Sequence, residues 1–304
     1  MPWFFSPRQT FCVFFQEISQ IDHNHVAMTH TNNTLNQCKL VFVGGGNMAS
    51  AILGGLIRQG MSAQRIWVIE PFEQSRQRLE ALGVHTLSAP SADLQDADVM
   101  VWAVKPQTFH EAAQQNRAFC QQALHLSVAA GIRSDSIAHW LGSERIVRAM
   151  PNTPALVGLG QTGLFARTGV TPADKQLIAQ VLEPTGQLLW VDHEPLLDAV
   201  TAISGSGPAY VFYFLEAMIQ AGIGMGLSAA QAHQLAVGTF EGASALAKAS
   251  DESPQVLRER VTSKGGTTYA ATCALDEAGV QSLFKHALEA ARLRAQELGD
   301  EFGK

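Results

Sequence analysis

Lys39-Leu40-Val41-Phe42-Val43-Gly44-Gly45-Gly46-Asn47-Met48-Ala49 is the stretch that decides the fold. Its first five residues form a short apolar run rich in β-branched side chains, and Ala51-Ile52-Leu53-Gly54-Gly55-Leu56-Ile57 follows with a helical pattern. The order is strand, glycine turn, helix. The spacing fits the dinucleotide-binding form, with Gly44 for the tight turn, Gly46 for backbone approach to a pyrophosphate and Ala49 for close packing of helix on strand. Gly44, Gly46, Asn47 and Met48 are the cofactor-binding candidates of this turn. Such a spacing alone is weak evidence. Its context strengthens it, because a second strand, Arg65-Ile66-Trp67-Val68-Ile69, follows one helix later and ends at Glu70, where a residue reading the adenosine ribose belongs.

A carboxylate at Glu70 accepts from a ribose 2′-hydroxyl and repels a 2′-phosphate, which favours NADH. Arg76 and Arg78 stand close enough in sequence to meet that phosphate, although with Glu73 and Glu80 they also read as a solvated helix face. NADPH and NADH both remain open.

Downstream, the alternation continues. Gly83-Val84-His85 reads as a short edge strand, and Ala97 to Val104, His125 to Ala130, Arg145 to Met150 and Gln187 to Val191 as further strands of a parallel sheet. Ligands of such sheets bind beyond the carboxyl ends of the strands. Ala103, Val104, Lys105 and Pro106 are the candidates after one strand, with a surface lysine at a turn as the plainer account of Lys105. Met150-Pro151-Asn152-Thr153-Pro154 follows another, and its prolines fix a loop that presents the Asn152 amide to a nicotinamide edge. Thr171-Pro172-Ala173-Asp174 opens a helix that runs to about Leu182.

Beyond Asp192-His193-Glu194-Pro195 the pattern is helical alone. The expected organisation is an extension over residues 1–37, a nucleotide-binding domain over 38–194 and a helical domain over 195–304. Ala209 to Ile219 is apolar on nearly every face, so that helix needs cover on all sides. Pro208, Glu216 and Gln220 cut the run below a membrane span of roughly 18 residues. A second subunit is the expected cover. Ser228-Ala229-Ala230-Gln231 is a capping box for a helix reaching about Lys248, and Asp251-Glu252-Ser253-Pro254 starts another. Between that helix and the next lies Val261-Thr262-Ser263-Lys264-Gly265-Gly266-Thr267-Thr268. Glycines between hydroxyl side chains, followed by a helix start, leave backbone N–H groups free for a small carboxylate. An ordinary helix–helix turn has the same composition.

The remaining features exclude more than they assign. With 304 residues, 46% hydrophobic and 16% charged, the chain is globular and long enough for two domains. A formal charge of −6 and the lack of a Lys/Arg cluster argue against nucleic acid. Cys12, Cys38, Cys120 and Cys273 are scattered as reduced thiols, and His23, His25 and His30 lie in a polar stretch unlike a metal site, so no metal is expected. Residues 1–37 carry apolar stretches broken by Pro7, Arg8 and Gln9 without a small-residue cleavage site, which reads as a mobile extension or as a start at Met28. The expected location is cytoplasmic, with no membrane partner.

From Lys39 onward, the chain resembles the pyrroline-5-carboxylate reductases. The resemblance rests on Gly44 to Ala49, Val104-Lys105-Pro106, Met150 to Pro154, Ser204-Gly205-Ser206-Gly207-Pro208-Ala209-Tyr210 and above all Val261 to Thr268. It implies a Rossmann-type doubly wound parallel sheet followed by an all-helical C-terminal dimerisation domain. The implied reaction is hydride transfer from NADPH or NADH to the C=N bond of 1-pyrroline-5-carboxylate, giving L-proline. A homodimer, assembled in some members into larger rings such as a decamer, is implied too. By the same resemblance Thr268 faces the ring nitrogen, while Ser263 and the N–H groups of Gly266 and Thr267, with Gly265 shaping the turn, hold the carboxylate. Glu252 is a supporting carboxylate. Lys264 departs from the family's usual proline, freeing a backbone N–H and the local φ. Two other readings stay open. A β-hydroxyacid dehydrogenase on this scaffold would use a lysine early in the helical domain, and none lies between Ala209 and Lys248; a non-catalytic nucleotide-binding protein would have no need of both Ser263 and Thr268.

Overall fold

The computed structural model describes residues 35–303; the histidine cluster, Cys12 and the alternative start at Met28 lie outside the described residues. Eight strands form one sheet: β1 Leu40–Val43, β2 Ile66–Ile69, β3 His85–Leu87, β4 Val99–Trp102, β5 Leu124–Ser127, β6 Ile146–Met150, β7 Gly160–Ala166 and β8 Gly186–Trp190. Their order is β3-β2-β1-β4-β5-β6-β7-β8. From β3 to β6 every pairing is parallel, as the apolar runs predict, while β6 and β7 pair antiparallel and β7 with β8 parallel.

Strand β7 is the element missing from the sequence expectation. Its residues Gly-Gln-Thr-Gly-Leu-Phe-Ala carry two glycines and little alternation, because neighbouring chain leaves no room for side chains there. A Cβ on Gly160 would lie 2.6 Å from the Thr185 carbonyl, and one on Gly163 2.7 Å from Val200.

Alternate residues of each strand feed opposite faces. On one face Leu40, Phe42, Val68, Val101 and Leu126 pack with Ile52, Leu53 and Leu56 of α1 (Asn47–Arg58). On the other, Val41, Val43, Met100 and Trp102 pack with Phe109 and Ala113 of the helix Pro106–Asn116 and with Ile137 and Leu141 of the helix Ser134–Leu141. Leu35, within the stretch expected to be an extension, is buried in the first cluster. Thr171 and Asp174 close a reciprocal capping box on the helix Pro172–Leu182, and Arg145 Nη2 donates to Asp174 at 2.6 Å.

From Leu196 onward the chain is helical: Leu196–Val200, a π turn at Thr201–Gly205, then Gly207–Gly224, Ala229–Ala249, Pro254–Arg260, Thr267–Glu277 and Val280–Phe302. Ser228 and Gln231 form the expected capping box. The last helix docks on the nucleotide-binding half, where the Arg133 guanidinium donates to Asp300 at 3.0 Å and a Cβ on Gly299 would lie 3.0 Å from that guanidinium. None of the residues of Gly207–Gly224 is buried, and Phe212 and Tyr213 are 64% and 71% exposed. The all-round burial expected of this helix is therefore not supplied by the described residues of one chain. No described helix is long and apolar enough to cross a membrane.

A pH effect follows from the core. His125 is buried and its Nδ1 accepts from Trp102 Nε1 at 3.2 Å; burial, with Arg145 adding to it, pushes its pKa down to about 4. An unfolded histidine titrates near 6.5, so between roughly pH 6.5 and 4 the unfolded chain binds a proton that the native one refuses. This contribution is complete above pH 6.5 and is lost as the pH falls toward 4. Thermal melts across that window should show the loss, and His125→Gln, which keeps an acceptor for Trp102, should flatten it; an unchanged slope in the variant would clear His125 of the effect.

Candidate active site

The parallel strands bring the glycine turn, Glu70, Ala103 to Pro106 and Asn152 to one edge of the sheet. Since β1 pairs with β2 on one side and β4 on the other, the chain departs from β1 and from β4 in the crevice where strand order reverses, and that crevice is where such sheets bind ligands. Gly44 has φ +95°, and its N–H donates to the Ile69 carbonyl at 2.9 Å. A Cβ there would sit 2.9 Å from the Ala103 carbonyl, so the turn is pressed onto the end of β4. Around Gly46 a Cβ would meet nothing within 4 Å, and no side chain caps the helix that begins at Asn47. Open space at an uncapped helix start, where backbone N–H groups and the helix dipole favour negative charge, fits a pyrophosphate.

Glu70 is buried beneath this turn rather than projecting from it. Its Oε2 accepts from the Gly45 N–H at 3.0 Å and its Oε1 from the Phe72 N–H at 3.1 Å. Arg76 turns back onto the carbonyls of Glu70 (2.9 Å) and Pro71 (2.7 Å). Lys105 is exposed and is the N-cap residue of the helix that Pro106 opens. Asn152 is 8% exposed, and its amide is occupied by the chain itself. Its Nδ2 donates to the Ser204 carbonyl (3.1 Å) and hydroxyl (3.2 Å), and its Oδ1 accepts from the Gln161 N–H (2.9 Å). The expectation that this amide is presented to a nicotinamide is corrected by these bonds.

The hydroxyl-rich loop is a tight turn. The Gly266 N–H donates to the Ser263 carbonyl at 3.0 Å, and Gly265 has φ +74°, the left-handed third position of a type II turn. Lys264 occupies the second position, where proline is common but other residues fit. A Cβ on Gly266 would lie 2.5 Å from Ser263 Oγ, so glycine is what lets the serine hydroxyl fold over the turn. One assignment changes: the Gly266 N–H is used inside the turn, and the donors left for an anion are those of Thr267, Thr268 and Tyr269 in the uncapped first turn of Thr267–Glu277. Thr268 is half-buried, Ser263 and Thr267 exposed. Glu252 pairs through Oε1 with Arg260, one residue before the loop, and its Oε2 is buried without a donor.

Two charged residues of this region were missed by the sequence reading. Arg148, 3% exposed on β6, donates to Glu194 at 2.9 Å, and Glu194 also accepts from the Ser134 N–H at 2.7 Å and from its hydroxyl. Burial raises the pKa of nearby Asp198, with Arg148 and Arg133 opposing. An arginine inside an apolar strand was the available signal, because a buried charge demands a partner. These contacts tie the sheet to the segment where the helical half begins.

A glycine turn at the switch point of a parallel sheet, joined to a helical half with a second glycine turn before an uncapped helix, defines the class of dinucleotide-dependent oxidoreductases. A family model described as pyrroline-5-carboxylate reductase dimerisation matches residues 194–298, and one described as NADP oxidoreductase, coenzyme F420-dependent, matches residues 39–131. The chain is 40% identical to a pyrroline-5-carboxylate reductase of Pseudomonas aeruginosa over 88% of its length and 98% of that protein. It is 35% identical to one of Arabidopsis thaliana over 86% and 95%. Among solved structures, that of a Coxiella burnetii pyrroline-5-carboxylate reductase superposes with a TM-score of 0.80 at 38% identity, covering 86% of this chain and 98% of that one. The Plasmodium falciparum pyrroline carboxylate reductase with NADP bound gives 0.77 at 28%, covering 87% and 99%. The chain belongs to the pyrroline-5-carboxylate reductase family.

The two glycines of the fingerprint should separate fold from ligand. Gly44→Ala forces a side chain into a left-handed backbone against the Ala103 carbonyl and should cost on the order of 1–3 kcal/mol, seen as a lowered Tm without any ligand. Gly46→Ala meets no protein atom and should melt like the parent.

Proposed function

We propose that this chain reduces 1-pyrroline-5-carboxylate to L-proline with a nicotinamide cofactor. The observation that carries the reading is the Ser263–Gly266 turn, whose folded-over hydroxyl stands beside the uncapped N–H groups of Thr267 and Thr268, donors of the kind a carboxylate accepts. When bound, the reduced nicotinamide supplies the hydride. The protein's part is to hold the imine carbon close, aligned and shielded from water, and to bond the nitrogen that takes a proton.

In this reading the carboxylate rests on Ser263 Oγ and the N–H groups of Thr267 and Thr268, and the Thr268 hydroxyl faces the ring nitrogen. A threonine hydroxyl is too weak an acid to protonate an imine outright, so it orients a substrate that arrives protonated or relays a proton from water. Glu252 steadies Arg260 at the entrance to the loop. The exposed Lys264 ammonium adds attraction for the carboxylate. Gly44, Gly46, Asn47 and Met48 cradle the pyrophosphate, and Ala103 to Pro106 line the path toward the nicotinamide.

We further assign the domains as 38–194 and 195–304 and the quaternary state as a homodimer, with larger rings such as a decamer as further assembly. The exposed apolar residues of Gly207–Gly224 support this, since a partner would give them the cover that one chain lacks. For the cofactor we propose NADH over NADPH. Glu70 sets a carboxylate at the end of β2, a charge that disfavours a 2′-phosphate nearby, and each of its oxygens keeps a lone pair beyond the one that accepts its backbone N–H.

Oxidation of NADH or NADPH on addition of pyrroline-5-carboxylate, followed by absorbance, tests the reaction; no turnover with either cofactor ends the proposal. Thr268→Val should lower kcat by on the order of 10²-fold with little change in cofactor Kd. Glu70→Ala should raise the NADPH to NADH ratio of kcat/KM by about tenfold, the equivalent of ~1.4 kcal/mol. A ratio that does not move would remove Glu70 from cofactor choice.

A further inference from the structure

The Asn152 side chain joins three elements: the loop after β6, the start of β7 and the π turn Thr201–Gly205. An asparagine amide has two N–H donors and one carbonyl oxygen. In this fold the donor nitrogen is directed at Ser204 O and Oγ, and the oxygen at the Gln161 N–H, so no donor remains for a carboxamide or a ribose. Ser204 Oγ completes the clasp by donating to the Gln161 carbonyl at 3.3 Å.

The far side of the clasp is equally specific. A π turn is a rare departure from helical bonding, found mostly where function requires it. Here it is held by the Tyr210 hydroxyl donating to the Ala202 carbonyl at 3.1 Å, and it presses on the β6 end, where a Cβ on Gly205 would lie 2.5 Å from Met150 Cε. Gly207–Gly224 starts two residues after it. Thus the clasp stands where the cofactor-bearing sheet meets the half of the chain that bears the substrate turn.

We propose that Asn152 is a positioning residue for hydride transfer, acting through Ser204 to fix the offset between the sheet edge and the helical half, and is not a cofactor ligand. This rests on the reduction proposed above. Transfer requires the donor and acceptor carbons at roughly 3–3.5 Å, and a misplacement of about 1 Å costs on the order of 10²-fold in rate. A side chain that sets the relative placement of the two reactants therefore acts on kcat without touching either.

The test uses the enzyme in its native assembly and compares Asn152→Ala, Ser204→Ala and the double variant. Cofactor Kd, from quenching of protein fluorescence by NADH and by NADPH, should change by less than about twofold, well under the tenfold that 1.4 kcal/mol represents. kcat should fall by on the order of 10–10²-fold in Asn152→Ala, with a larger primary isotope effect from 4-deuterated cofactor. The double variant should be no slower than Asn152→Ala, because both changes open one clasp. Should Asn152→Ala fail to fold, Asn152→Asp keeps the acceptor for Gln161 and loses both donors, and the same results are expected. A cofactor Kd raised tenfold or more with kcat retained would overturn the proposal, as would losses that multiply in the double variant. A wild-type enzyme inactive toward pyrroline-5-carboxylate overturns the reduction and this role together. An active wild type whose Asn152→Asp form turns over at full rate overturns this role alone.

Discussion

The placement of β1 between β2 and β4 is the constraint on which the rest of the structure depends. Hydrogen bonds on both edges of β1 fix its register, and the Gly44 N–H extends the ladder by one bond to the Ile69 carbonyl. The chain must then leave the sheet at once, with φ +95° and no side chain, because the end of β4 occupies the adjoining space. Everything at the sheet edge inherits that geometry. Glu70 is drawn beneath the turn by the Gly45 N–H, the α1 start is left uncapped, and the loop after β6 lies on the same edge because β6 runs parallel to the strands before it.

The second half of the molecule meets the sheet half through apolar contacts, such as Leu197 and Val200 against Gly163 and Phe302 against the second core cluster, and through polar contacts as well. Arg148 with Glu194 and Asn152 with Ser204, both at least partly buried, and Arg133 with the exposed Asp300 bridge the sheet to the helical half. Buried charge pairs contribute little net stability, but leaving one partner alone is costly, so such contacts tolerate few alternative arrangements. Directional bonds of this kind fix an angle and an offset as well as a distance.

Much of this was legible in the sequence. The parallel core follows from apolar runs separated by helical periods, and the helix starts follow from the Thr171 cap with its proline and from the Ser228 capping box, both of which form. The family resemblance singled out Val261 to Thr268, and the turn there has the glycine geometry its sequence requires. What escaped reading were features set by close approach and pairing across long separations. Gly160 and Gly163 look like loop residues until Thr185 and Val200 are placed against them. The Asn152 amide looks presented until Ser204, far along the chain, takes its donors. Gly266 looks like an anion donor until its N–H closes the turn. Local pattern reveals which backbone is formed, whereas the destination of a polar atom depends on neighbours that only the folded chain brings in.

The bare apolar surface of Gly207–Gly224 also bears on how the protein comes to exist in a cell. Phe212 and Tyr213 face water in the single chain, with no cover from the other described residues. If a second copy supplies that cover, as proposed above, the native state is set by mass action, because each copy gains the cover only as fast as it meets another. Dilution and low expression would then act on this protein as mild denaturants act on a self-sufficient one, and the interval between synthesis and pairing would be when chaperones and proteases compete for it.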